Sequence, residues 1–122
     1  MTKKVLIADD EPNIVVSLEF LMRQNGFEVR AVRNGDEALA AALEFRPDLV
    51  LLDVMMPVKN GYEVAQKIRE NPALQDMKIV MLTAKGRDTE VSKGMAVGAD
   101  AYVTKPFSTR DLVAQIKRML DV

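Results

Sequence analysis

Apolar residues along this chain fall into two alternating textures. Short continuous runs (Val5-Leu6-Ile7-Ala8, Leu49-Val50-Leu51-Leu52 and Ile79-Val80-Met81-Leu82) are separated by stretches where apolar positions recur every three or four residues. The runs suit strands buried on both faces of a parallel sheet, and the recurring positions suit amphipathic helices packed over them. Ile14, Val15, Leu18, Leu21 and Met22 share one helical face, which Asn25-Gly26 ends. Phe27, Val29 and Ala31 then alternate with Glu28 and Arg30, the period of a half-exposed edge strand. Ala38, Leu39, Ala42 and Leu43 form a second helical stripe, followed by Pro47. After Leu49–Asp53, the segment Met56-Pro57-Val58-Lys59-Asn60-Gly61 reads as a loop. Val64, Ala65 and Ile68 make a third stripe, stopped near Asn71-Pro72. A weaker helix is expected from about Asp88 to Val97, ended by Gly98, and a short strand at Ala101-Tyr102-Val103. Leu112, Val113, Ile116, Met119 and Leu120 form the last stripe, opened by Ser108 as N-cap.

Strands and helices therefore alternate five times. This pattern implies an α/β fold: a doubly wound, five-stranded parallel sheet with helices on both faces, joined by right-handed crossovers. The alternating second strand and the short fifth suit the edges, and the three continuous runs suit the centre. The order 2-1-3-4-5 follows. At 122 residues, with no linker, repeat or composition shift, one domain spanning 1–122 is expected.

The strand ends carry the chemistry. The first run leads into Asp9-Asp10, the third strand ends at Asp53, the fourth leads into Thr83, and the fifth is followed by Thr104-Lys105-Pro106. Ligands of open parallel sheets bind outside the carboxyl ends of the strands. Three carboxylates, a hydroxyl and an ammonium should therefore meet at one edge. Composition narrows what they can do. With no His and no Cys, histidine- or cysteine-based nucleophile systems are excluded within the chain, and zinc has no ligands of its usual type. Magnesium, calcium or manganese, held by oxygen, remain. Aspartate can attack phosphorus to form an acyl phosphate, and such transfer needs positioning and neutralised charge. Taken singly, each residue also has a structural reading. Asp9-Asp10 would cap the helix near Pro12, Asp53 would open a loop, Thr83 would end a strand, Lys105 would be solvated, Tyr102 would pack, and the eight Met would fill the core. All of these holding at once on four strands is the weaker explanation. Net charge of -1 gives no electrostatic footprint for nucleic acid, and no apolar stretch approaches a membrane span.

The stretches Val5-Leu6-Ile7-Ala8-Asp9-Asp10-Glu11-Pro12, Asp48-Leu49-Val50-Leu51-Leu52-Asp53-Val54-Met55-Met56-Pro57, Asn60-Gly61, Leu82-Thr83-Ala84, Gly98-Ala99-Asp100-Ala101-Tyr102 and Thr104-Lys105-Pro106-Phe107 together span nearly the whole chain. In that order they resemble the receiver domain of two-component response regulators, whose flavodoxin-like fold is shared with the chemotaxis response regulator. The resemblance implies that Asp53 is the phosphoacceptor, receiving phosphate from a histidine on a partner kinase or phosphotransfer protein. It implies magnesium (or manganese in its place) on Asp10, Asp53 and the Met55 carbonyl, with Asp9 acting through water. Thr83 and Lys105 would hold the phosphoryl oxygens, and Lys105-Pro106 would be a cis peptide. Tyr102 would be the switch aromatic, turning inward as Thr83 moves. Met55 and Lys85 would tune dephosphorylation. Phosphorylation would shift the face made by the fourth helix, fifth strand and fifth helix, controlling partner binding or dimerisation.

On this reading the chain is a cytoplasmic switch that catalyses only its own phosphorylation and dephosphorylation. It acts on a downstream protein target or a fused output domain, without binding nucleic acid or membrane itself. Lys105 to Leu112 resembles receivers attached to winged-helix transcription factors. Ala101 and Val91, however, replace the acidic and basic residues those receivers use to dimerise, which favours a stand-alone receiver. A phosphatase of the haloacid dehalogenase type would need a second Asp where Met55 stands. A flavin-binding protein would need a Ser/Thr-rich loop where Asp9-Asp10-Glu11-Pro12 stands. A phosphate-independent interaction module of the same fold is the remaining alternative.

Overall fold

The computed structural model describes residues 2–84 and 98–122. Five strands, β1 (Lys4–Ala8), β2 (Glu28–Val32), β3 (Leu49–Asp53), β4 (Lys78–Ala84) and β5 (Ala101–Lys105), form one sheet in the order β2-β1-β3-β4-β5. Every pairing is parallel. Among the described residues there are four α-helices: α1 (Pro12–Gln24), α2 (Gly35–Phe45), α3 (Gly61–Glu70) and a C-terminal helix (Thr109–Leu120). The helix expected at 88–97, with Lys85 and Val91, lies outside the described residues.

The strand periodicity explains the layers. Leu6, Ala8, Val50, Leu52, Ile79 and Met81 point to one side, where Ala38, Ala41 and Ala42 of α2 and Val64, Ala65 and Ile68 of α3 cover them. Val5, Ile7, Leu49, Leu51, Val80 and Leu82 point to the other, under Leu18 and Met22 of α1 and Leu112, Ile116 and Leu120 of the C-terminal helix. All five residues of β3 are buried, as a central strand requires.

Local signals place the helix starts. Asn34 accepts from the Glu37 amide at 2.9 Å, and Asn60 forms a capping box with Glu63 at the start of α3. Ser108 caps the C-terminal helix through the Asp111 amide. Three structural readings need correction. Neither Asp9 nor Asp10 caps α1: Glu11 stands at the N-cap, and its side chain makes no capping hydrogen bond. Leu43 is half exposed rather than part of the α2 stripe, and Met55 is 62% exposed rather than a core filler.

Candidate functional site

Parallel register brings the strand ends level. Ala8 lies opposite Leu52, Asp53 opposite Leu82, Thr83 opposite Thr104, and Ala84 opposite Lys105. Asp9 follows β1 directly, so it meets Lys105 although 96 positions separate them. One oxygen from each of Asp9, Asp10 and Asp53 lies within 4.8 Å of the other two. Lys105 reaches into this group. Its Nζ is 3.0 Å from Asp9 Oδ2, 3.5 Å from Asp53 Oδ1 and 3.2 Å from Glu11 Oε1. The Glu11 amide donates to Asp9 Oδ1 at 2.9 Å, and the Met55 amide to Asp53 Oδ1 at 3.3 Å. Asp9, Asp53 and Thr83 are buried, whereas Asp10 stands at the exposed rim.

Burial, then the neighbouring Asp9 charge, push the Asp53 carboxyl up from 3.8 to about 7, against the opposing Lys105 ammonium. Burial disfavours the charged form of Lys105. The Asp9 hydrogen bond and the Asp53 and Asp9 charges outweigh it and hold the ammonium above its usual value. The cluster thus carries more negative charge than one ammonium balances. Its donors are all hard oxygens, and a small divalent cation beside them would relieve the repulsion that raises Asp53. The donor set fits magnesium.

Tyr102 is half buried on β5, against the core under α2 and α3, and pairs with Met81. The Lys105-Pro106 peptide is cis. Asp9, Asp10, Asp53 and Lys105 therefore converge, with Thr83 at the neighbouring strand end and Met55 on the turn that follows Asp53. Lys85 lies outside the described residues. Glu11 was not foreseen as a Lys105 partner. Its place directly after the acidic pair was the only signal. A second unforeseen contact, Lys59 Nζ to Asp36 Oδ1 at 2.7 Å, joins the loop after β3 to the start of α2.

Residues 5–117 match the family described as the response regulator receiver domain. The chain belongs to the response regulator receiver family. This receiver is 42% identical over 120 residues to the phosphate regulon transcriptional regulatory protein PhoB of Rhizobium meliloti, covering 98% of this chain and 53% of that protein. It thus spans about half the length of that relative. Its structure resembles that of the chemotaxis response regulator CheY4 of Vibrio cholerae, with a TM-score of 0.91 at 33% identity, covering 98% of this chain and 99% of that one. It also resembles the receiver domain of a sensor histidine kinase from Pseudomonas aeruginosa, with a TM-score of 0.91 at 26% identity over all of both chains. That structure has a magnesium ion coordinated in its active-site cleft. No helix among the described residues is long and apolar enough to cross a membrane.

Proposed function

We propose that this receiver is a phosphorylation-dependent switch whose phosphoacceptor is Asp53. The observation that best supports this is the meeting of Asp9, Asp10, Asp53 and Lys105 at the carboxyl ends of three strands. A carboxylate oxygen of Asp53 attacks phosphorus on a phosphohistidine of a partner kinase or phosphotransfer protein. An acyl phosphate forms, the P–N bond breaks, and its electron pair stays on the imidazole. Asp10, Asp53 and the Met55 carbonyl hold magnesium, or manganese in its place, with Asp9 acting through water. Magnesium, when bound, supplies positive charge that offsets the carboxylates and the phosphoryl oxygens. Lys105, firmly protonated, exchanges part of its carboxylate contact for a phosphoryl oxygen, and the Thr83 hydroxyl donates to another. The chain has no separate substrate to turn over; its chemistry is its own phosphorylation and dephosphorylation.

Thr83 and Tyr102 carry the signal outward. Thr83 moving toward the phosphoryl group frees space for Tyr102 to turn inward, changing the face formed by β5, the C-terminal helix and the helix expected at 88–97. Phosphate acts only as far as it binds that state better. The altered face then engages a downstream protein or output domain. The test uses beryllium fluoride, an aspartyl-phosphate mimic, with magnesium, read by backbone-amide NMR. The expected result is shifts at Thr83, Tyr102 and the C-terminal helix in the wild type and none in Asp53→Asn. Identical shifts in both proteins would remove Asp53 as the acceptor, and no shifts in either would point instead to a phosphate-independent interaction module.

A further inference from the structure

We propose that the amino end of α2 clamps the loop between β3 and α3 and thereby sets the site's affinity for a divalent cation, with Gly35 as the positioning residue. This rests on the magnesium reading above. The loop, residues 54–60, carries the Met55 carbonyl and follows Asp53 directly, so its path fixes one wall of the site. One end of it is closed from α3. The Gly61 amide donates to the Val54 carbonyl at 2.9 Å, and a Cβ on Gly61 would stand 2.5 Å from the Asp53 carbonyl oxygen.

The other end is closed from α2, an element that contributes no residue to the site. A Cβ on buried Gly35 would stand 2.8 Å from the Lys59 carbonyl carbon and inside contact distance of the Lys59 carbonyl oxygen and Cβ. The two backbones touch, and only glycine permits it. The Gly35 amide points to the Pro57 carbonyl at 3.4 Å, and Lys59 Nζ bonds Asp36 Oδ1 at 2.7 Å. Between these closures Val58 sits at φ +70°, a left-handed conformation that a β-branched residue adopts only under constraint. A loop held from both sides can keep such a residue there. The Asp36–Lys59 pair is largely exposed and screened by salt, so the backbone contact at Gly35 carries most of the effect. Displacing the loop at Lys59 moves the turn that presents Met55, while the carboxylates on the strand ends stay put. The cluster remains, but its geometry for a small, exacting cation is lost.

The test is a magnesium titration of the intact chain, followed by amide NMR shifts around Asp10, Asp53 and Met55. Gly35→Ala should bind about 10- to 100-fold more weakly, the range for residues that orient metal ligands. Ala40→Gly, an exposed site in the same helix, should melt lower yet keep the wild-type affinity. Wild-type affinity in Gly35→Ala, or an equal loss in Ala40→Gly, would overturn the clamp. If Gly35→Ala does not fold, Asp36→Asn and Lys59→Gln decide. Each should weaken binding about two- to fivefold at low salt, with no further loss in the double variant. Unchanged affinity in both would likewise overturn it. A wild-type chain with no saturable magnesium shift would overturn the metal reading itself, an outcome distinct from loss in a variant alone.

Discussion

Asp53 is buried, and the proposed role of nucleophile asks it to carry charge; these demands conflict. Burial and Asp9 lift its carboxyl from 3.8 to about 7, so the metal-free fold binds a proton that the unfolded chain releases across that interval. With fewer protons on the unfolded state, stability falls as pH rises through the window, and the full penalty stands above about pH 7. Thermal unfolding in chelator should therefore show a melting temperature that drops between pH 5 and pH 8. Asp53→Asn should lack most of that drop and melt higher than wild type at pH 8. Magnesium should restore the wild-type protein there. A variant with the same pH slope as wild type would contradict this. Val58 stores a different strain. The left-handed conformation costs a β-branched residue about 1–2 kcal/mol, and asparagine tolerates it. Val58→Asn should raise the melting temperature by roughly 3–6 °C, following the usual scaling of about 1 kcal/mol.

Between elements, long-range polar contacts do what the apolar pattern does not specify. Arg69 at the end of α3 donates to the carbonyls of Gly98, Met77 and Gln75 and pairs with Asp100 at 2.6 Å. The same Asp100 oxygen accepts from the Ile79 amide at 2.8 Å, so one guanidinium ties α3 to the starts of β4 and β5. Arg69→Ala should cost about 1–3 kcal/mol in denaturant unfolding while leaving magnesium affinity unchanged, because none of these contacts reaches the site. The strands were legible in sequence because β1, β3 and β4 are buried on both faces and read as unbroken apolar runs. The stripe of α2 was read one residue too wide, since Leu43 has the right residue type but the wrong angular position. Contacts such as Arg69–Asp100 and Asp36–Lys59 were not legible. They join residues 31 and 23 apart whose meeting depends on the assembled sheet.

Across the whole molecule, the sheet converts sequence order into a site. Asp9, Asp10, Asp53 and Lys105 could be picked out in advance because parallel strands deliver their carboxyl ends to one edge, and register then leaves little freedom. Glu11 could not, since its role depends on where the Lys105 ammonium comes to rest. The same edge faces β5, which bears half-buried Tyr102, so the site and the proposed output face share one sheet. In the proposed switch, Tyr102 on that sheet is the means by which a local charge is read at a distance. The proposed switch depends on one chemical event at Asp53. The most direct test is to incubate the protein with magnesium and acetyl phosphate and measure its intact mass, with Asp53→Asn in parallel. A single phosphoryl adduct that requires magnesium and is missing from the variant is the predicted result. No adduct on folded, magnesium-bound protein, or an adduct that survives in Asp53→Asn, would contradict it.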